Sequence, residues 1–440
     1  MTLDRRDLLV RTGLLVGAGA LAAAGCRSDE EAVTTATSSG LDTWEGVRAS
    51  FELDRSRAQL SSFLLAAHPR PVRDAIAEHR DRLDADTAVY LHDESERLEA
   101  DVLQAAAGYL GVVPEEIAVT GSTTMGLGLL YATLRLDAGE EILTSEHDFY
   151  STHEALRLRA EATGASIRRV RLYDEPGSAA SGDIVQRVRD AVTPSTRAVA
   201  LTWVHSSTGV KLPVREIADE LSERDAELGK RKTLLAVDAV HGLGVEPEAL
   251  PDLGCDFLVS GCHKWLFGPR GTGIVWGRAD AWPEVAPTIP SFTDGESFGA
   301  WIAGAEPSGS TSAAAFTPGG YHAFEHRWAL AAAFRFRQEV GRERAAERTR
   351  ALATRLKQGL REVPGAVVRT PLDEGLSAGL VCCEVASLAP EQLVDRLLSD
   401  HGVVASVTPY ATRYLRFGPS IVNSQEDVDR AVAGVAELAR

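Results

Sequence analysis

Between about residue 90 and residue 280 the chain alternates between two hydrophobic periods. EEIAVT (115–120), EEILTS (140–145), SIRRVRL (166–172), TRAVALTWV (196–204), TLLAVDAV (233–240) and DFLVSG (256–261) read as strands. Amphipathic stretches at 124–134, 152–163, 183–192 and 214–228 read as the helices between them. Nearly unbroken apolar strands need cover on both faces. The alternation therefore predicts an α/β fold with a mostly parallel sheet between two layers of helix. Ligands of such sheets lie at the carboxyl ends of the strands, so those ends are where chemistry is expected.

Pro, Gly and Ser thicken between 283 and 320, which reads as irregular loops linking two domains. A long Ala/Arg/Glu-rich helix is expected over roughly 323–361. GAVVRT (365–370), GLVCCEVA (379–386), helix 390–400, GVVASV (402–407), YLRFG (414–418) and helix 425–439 then form a smaller C-terminal α/β unit. This reading assigns 75–312 to a large domain, and 46–74 with 313–440 to a small one.

The N-terminus reads separately. MTLDRRDLLVRTGLLVGAGALAAAGC (1–26) has a charged start, a short apolar run and a small-residue end. It resembles a twin-arginine export signal, and Cys26 resembles a lipoprotein attachment site, so the protein is expected outside the cytoplasm on a lipid anchor. Residues 27–45 read as a flexible linker. The net charge of -17 without a basic stripe excludes nucleic acid as a partner. Cys255, Cys262, Cys382 and Cys383 match no zinc or disulfide spacing.

Three strand ends carry chemistry. VTGSTTMGLGLL (119–130) runs from a strand through a small-residue turn into a helix, whose free N–H groups suit a phosphate or plain Ser/Thr capping. Asp238 ends an apolar strand and needs a cation or hydrogen bonds there. Lys264, one of only five lysines, stands in SGCHKWLFGPRGTG (260–273) among apolar side chains. Loss of hydration would make its amine nucleophilic; the alternative is a lysine reaching out to water.

Phosphate cradle, strand-end Asp and strand-end Lys, in that order, resemble the fold-type I pyridoxal-phosphate enzymes. TGSTTMGL, SEHDFY, HSSTG, VDAVHG, SGCHKWLFGPRGTG and YLRFGPSIVNSQEDV, in register over about 60–440, resemble the class V aminotransferase family. That family includes cysteine desulfurases, isopenicillin N epimerase-like proteins and related C–S lyases. The resemblance implies pyridoxal 5'-phosphate as cofactor, an α-amino acid substrate and a homodimer. It makes Lys264 the Schiff-base lysine and Asp238 the partner of the pyridinium nitrogen. His147 would stack on the ring, with Ser206 and His241 beside its hydroxyl. Ser122, Thr123 and His263 would hold the phosphate. Gly261 stands where some relatives place another phosphate-binding Ser. Thr317 would reach the phosphate of the neighbouring subunit, and Arg416 would hold the substrate carboxylate.

One departure narrows the reaction. GVVASVTPYATRYLR (402–416) has no Cys where desulfurases carry their nucleophile. Transamination is the expected activity because it needs no leaving-group acid, with C–S lysis or epimerisation as the alternative. The choice is expected to lie in loops such as 203–207 and 292–317, with Trp203 and His205 reading the side chain. A rival reading comes from HAFEH (322–326), which fits H-x-x-E-H and would make an exported zinc hydrolase if His322 and His326 share a helical face. The preferred reading involves no metal.

Overall fold

A computed structural model describes residues 40–307 and 311–440. The export signal, Cys26 and most of the linker lie outside the described residues. Seven strands form the large sheet: β1 (Ile117–Thr120), β2 (Glu141–Ser145), β3 (Ser166–Val170), β4 (Thr196–Thr202), β5 (Leu234–Asp238), β6 (Phe257–Gly261) and β7 (Gly273–Gly277). Their order is β1-β7-β6-β5-β4-β2-β3. All neighbours are parallel except β7, which runs antiparallel to both β1 and β6. The sheet is thus mostly parallel, as the periodicity predicted. Helices Thr123–Thr133, Tyr150–Thr163, Ser181–Ala191 and Val214–Leu228 fall within two residues of their expected spans at nearly every end. Strand β7 was not foreseen, because GIVWG follows directly on the glycine-rich turn.

Four antiparallel strands form a second sheet: β8 (Ala366–Val368), β9 (Val381–Val385), β10 (Ser406–Val407) and β11 (Leu415–Phe417), in the order β10-β11-β9-β8. Helices Arg342–Arg361, Pro390–His401 and Gln425–Leu438 supply Leu352, Leu356, Leu393, Leu397, Val428 and Val435 to its core. Ala58 and Leu60 join the same core, and Ala58–Gln59 pairs in parallel with Val403–Val404.

Three expectations are corrected. The single helix over 323–361 is broken into Phe324–Trp328, Leu330–Val340 and Arg342–Arg361. Gly341 (φ 87°) makes the second break, in a conformation that ends a helix. Leu330, Ala331 and Phe334 pack in the core of the large sheet together with Phe63 and Val72, so the small core begins after Gly341 and not at 313. Ordered packing also begins earlier than residue 46. Leu41 is buried beside Val47 and Phe51, and Arg344 donates to the carbonyls of Leu41 and Asp42 at 2.5 and 2.7 Å. No helix among the described residues is long and apolar enough to cross a membrane.

Candidate active site

The carboxyl ends of β1, β4, β5 and β6 bring together residues far apart in sequence. Asp238 is the last residue of β5, in register with Thr202 of β4 and Val259 of β6. Its side chain is 2% exposed. Val240 N–H donates to Oδ1 at 3.0 Å, while Oδ2 has no hydrogen-bond partner among the described residues. Burial pushes the carboxyl up to about 7, against the pull of Val240 N–H and of the Lys264 charge. A carboxylate this buried calls for a cationic donor that the chain itself supplies only at a distance.

Lys264 lies in the turn between β6 and β7. Burial lowers its amine to about 8, with Arg416 adding to the fall and Asp238 opposing it. The amine is therefore partly neutral near physiological pH and able to act as a nucleophile or base. The turn is held in a costly conformation. Phe267 has φ 59°, in the left-handed region, and its N–H closes on Lys264 O at 3.0 Å. Its ring is buried against Phe51, 5.0 Å between centroids. Burying a phenylalanine stabilises by about 1.5–3 kcal/mol, which matches the roughly 1–3 kcal/mol that such a backbone costs.

At the start of helix Thr123–Thr133, Ser122 Oγ accepts from Met125 N at 3.1 Å and Thr123 Oγ1 accepts from Gly261 N at 2.7 Å. Both hydroxyls act as acceptors, so both hydrogens are free to donate to an anion. His263 Nδ1 is buried with no partner. Glycine at 261 is what lets these groups converge: an added Cβ would sit 2.8 Å from His263 Cε1 and 3.0 Å from Thr123 Oγ1. Gly261 thus marks a close approach at which any larger residue would require the His263 ring to shift. Free hydroxyls, a helix N-terminus and an orphaned imidazole nitrogen fit a phosphate.

Two imidazoles have fixed roles. Trp265 Nε1–H donates to His241 Nδ1 at 3.1 Å, and burial keeps His241 neutral. Its proton is therefore assigned to Nε2, a donor suited to a ring oxygen. His147 stacks on Tyr173 with centroids 3.8 Å apart and 9° between planes. Its Nε2 is buried without a partner, and burial lowers its proton affinity to about 3. A flat aromatic cofactor on the free face of this neutral ring would complete a three-layer stack.

Arg416 on β11 is 3% exposed and pairs with no carboxylate among the described residues. Nε donates to Ser406 Oγ at 3.1 Å and Nη1 to Ser206 O at 2.9 Å, and the guanidinium lies 4.7 Å above the Phe63 ring. A buried guanidinium without an acid is set to receive one from a ligand.

Other expected residues are placed differently. Thr317 Oγ1 gives its one hydrogen to Ala313 O at 3.1 Å and accepts from Val119 N at 3.2 Å. It has no hydrogen left for a neighbour's phosphate. Ser206 Oγ lies 2.6 Å from Tyr410 OH, so its hydroxyl is engaged there. Trp203 packs against Gly242, and His205 is fully buried with Nδ1 2.9 Å from Tyr173 OH; neither lies open to read a substrate. His322 precedes the helix Phe324–Trp328, so it shares no helical face with His326. Among the described residues no group of three or more His, Cys, Asp or Glu could hold a metal ion.

Sequence reasoning missed Tyr173, Tyr410 and Asp148. Asp148 is buried beside His147 and accepts from Thr144 Oγ1, Ser145 N, Ser145 Oγ and Thr202 N at 2.6–2.9 Å. An acid beside the apolar strand end of β2 was the available signal, the same one that singled out Asp238.

The sequence model of the family described as Aminotransferase class-V matches residues 66–430. The isopenicillin N epimerase of Amycolatopsis lactamdurans is 26% identical over 422 residues, covering 90% of this chain and 99% of that protein. A cysteine desulfurase of Klebsiella pneumoniae is 25% identical over 356 residues, covering 78% and 82%. A solved structure of the C-DES mutant with glycine covalently linked to its PLP cofactor superposes with a TM-score of 0.79 at 20% identity, over 89% of this chain and 99% of that one. With the match to the family spanning Ser122 to Arg416, the phosphate cradle, the buried acid and the low-affinity lysine have one common explanation: the chain belongs to the class V aminotransferase family and is a pyridoxal-phosphate-dependent enzyme.

Proposed function

We propose that the protein is an α-amino acid epimerase. Pyridoxal phosphate, when bound, supplies a sink for the electron pair left as a bond at Cα breaks. The residues for the rest are in place. Ser122, Thr123 and His263 would hold the phosphate, His147 would cover the ring, and His241 Nε2–H would donate to the ring oxygen. Asp238 would keep the ring nitrogen protonated. Arg416 would orient the substrate by its carboxylate, and Lys264 Nζ would take the Cα proton, with a proton affinity near neutral pH that suits the task.

The observation that carries this reading is the hairpin from Thr408 to Tyr414, beside Arg416. It presents Tyr410 and no thiol. All four cysteines among the described residues are buried, and burial pushes the Cys382 thiol up to about 12. Among the described residues sulfur-transfer chemistry therefore lacks its nucleophile, while Lys264 supplies a base for proton chemistry at Cα. Sequence reasoning put transamination first. Similarity to an epimerase over nearly the whole length of both chains supports the epimerase reading instead.

The test is to incubate the loaded enzyme separately with isopenicillin N and each common L-amino acid. Conversion to the epimer without any keto acid is expected. Pyruvate and ammonia formed without a keto-acid acceptor would replace the reading with β-elimination. Activity only with an acceptor would restore transamination.

Export by the twin-arginine signal and a lipid anchor at Cys26 belong to the same proposal, checked by fractionating cells and by a Cys26→Ser variant. So does a homodimer, supported by the exposed Phe292, Trp301 and Tyr321 and checked by light scattering.

A further inference from the structure

Epimerisation has a requirement that Lys264 alone leaves unmet. Inversion needs a proton taken from one face of Cα and another delivered to the opposite face. We propose that Tyr410 is the second proton carrier, its phenol serving the face of Cα away from Lys264. This rests on the epimerase reading of the same site.

Tyr410 and Lys264 reach the site from different walls. Lys264 comes from the turn after β6 in the large sheet, and Tyr410 from the hairpin between β10 and β11 in the small one. Ser206 connects the phenol to the substrate anchor: its hydroxyl lies 2.6 Å from Tyr410 OH, and its carbonyl accepts from Arg416 Nη1 at 2.9 Å. Cα is bonded to the carboxylate that Arg416 would hold, so the phenol stands close to the reacting carbon. The hairpin is fixed. Thr408 N donates to Tyr414 O at 3.0 Å, Tyr414 N donates to Thr408 Oγ1 at 2.9 Å, and the Tyr410 ring meets Phe149 edge-on at 5.8 Å.

Among the described residues of the hairpin and its contact with Ser206, no other side chain is suited to the step. Ser206 and Thr408 are aliphatic hydroxyls, and the exposed Arg413 pairs with Glu391. Burial keeps the phenol protonated at rest, as do the Asp148 and Asp238 charges, while the Ser206 hydrogen bond and the Arg416 charge favour the phenolate. The protons balance. As the Cα–H bond breaks, Lys264 Nζ takes its proton and becomes an ammonium. The new Cα–H bond forms from Tyr410 O–H, which becomes a phenolate. Nothing is oxidised or reduced, and the opposite enantiomer reacts in reverse from the ammonium–phenolate form of the same pair, the phenolate taking its proton and the Lys264 ammonium delivering one. Both groups return to their resting states by exchange with water once the product leaves.

The experiment uses the loaded enzyme in heavy water with the substrate found in the amino-acid panel, and reads deuterium at Cα and the configuration separately. The wild type is expected to give deuterium with inversion. Tyr410→Phe, which removes one oxygen and keeps the ring against Phe149, should still wash deuterium in with retention through Lys264. Its inversion should fall about 10²–10⁴-fold, the usual contribution of a positioned acid–base group. Cofactor affinity, measured by fluorescence quenching of the apoprotein, should change less than about twofold, and a change beyond tenfold would count against a proton-carrying role. Ultraviolet titration of the apoprotein should also lose one phenol that ionises above free tyrosine. Inversion by Tyr410→Phe at the wild-type rate would overturn the Tyr410 assignment and leave the epimerase reading standing. Wild-type exchange with full retention would overturn the epimerase reading itself.

Discussion

Lys264→Met should make the cofactor-free protein more stable, although it removes the reactive amine. In the folded chain the amine falls from its ordinary 10.5 to about 8, chiefly because burial strips its water. At about 1.4 kcal/mol per pH unit, that fall opposes folding by on the order of 3 kcal/mol. The sign follows from the direction. Below about pH 8 both states hold the proton and the folded state bears the whole penalty. Above that pH the folded amine is neutral, and the penalty fades as the unfolded amine approaches its own 10.5. Methionine keeps the apolar stem and drops the charge. Asp238, losing the Lys264 charge that favours its carboxylate, takes up a proton more readily. Urea unfolding at about pH 7 should therefore show a gain of roughly 2–3 kcal/mol, shrinking to about 1 kcal/mol near pH 9.5. A loss of stability, or a gain that grows with pH, would refute the claim that the amine is held dehydrated and partly neutral.

Asp238→Asn should still bind pyridoxal phosphate but lose at least about 10²-fold in turnover, because an amide cannot hold the ring nitrogen protonated; steady-state kinetics beside the absorbance of the bound cofactor separate the two effects. Gly261→Ala should weaken the affinity for pyridoxal phosphate by at least about tenfold, since the new methyl enters the space between His263 and Thr123; titration of the apoprotein reads this directly, and unchanged affinity would remove the phosphate from that cradle.

The large sheet was legible because its strands are short apolar runs between helices of clear period, and most of the residues at its carboxyl edge stood in recognisable stretches. What stayed hidden depends on contacts that leave no period. Strand β7 is five residues behind a glycine turn. The break at Gly341 lies in a run of strong helix formers, where one backbone angle outweighs propensity. Tyr410 sits 204 residues from the Ser206 hydroxyl it meets, so nothing local marks it. Thr317 stood in a plausible stretch, but the bond it makes to Val119 across 198 residues could not be read from that stretch. Trp203 and His205 drew notice because they depart from the Asn-bearing pattern of desulfurases, yet both are buried, with His205 N–H bonded to Val210 O and Trp203 O accepting from Leu212 N at 2.9 and 2.7 Å.

Reduction of the loaded protein with borohydride, followed by peptide mass mapping, tests the central claim most directly. The chain offers Lys211, Lys230, Lys232, Lys264 and Lys357 as alternative sites. Lys357 is a demanding control, being buried and lowered to about 8 like Lys264, but its amine is bound to Pro371 O and Ser377 Oγ at 2.9 and 2.8 Å. Lys264 Nζ makes no such bond among the described residues. The account predicts one pyridoxyl group per chain, on the peptide containing Lys264, and none in Lys264→Ala. A label on Lys357 or any other lysine, or no label on a folded protein supplied with pyridoxal phosphate, would contradict it.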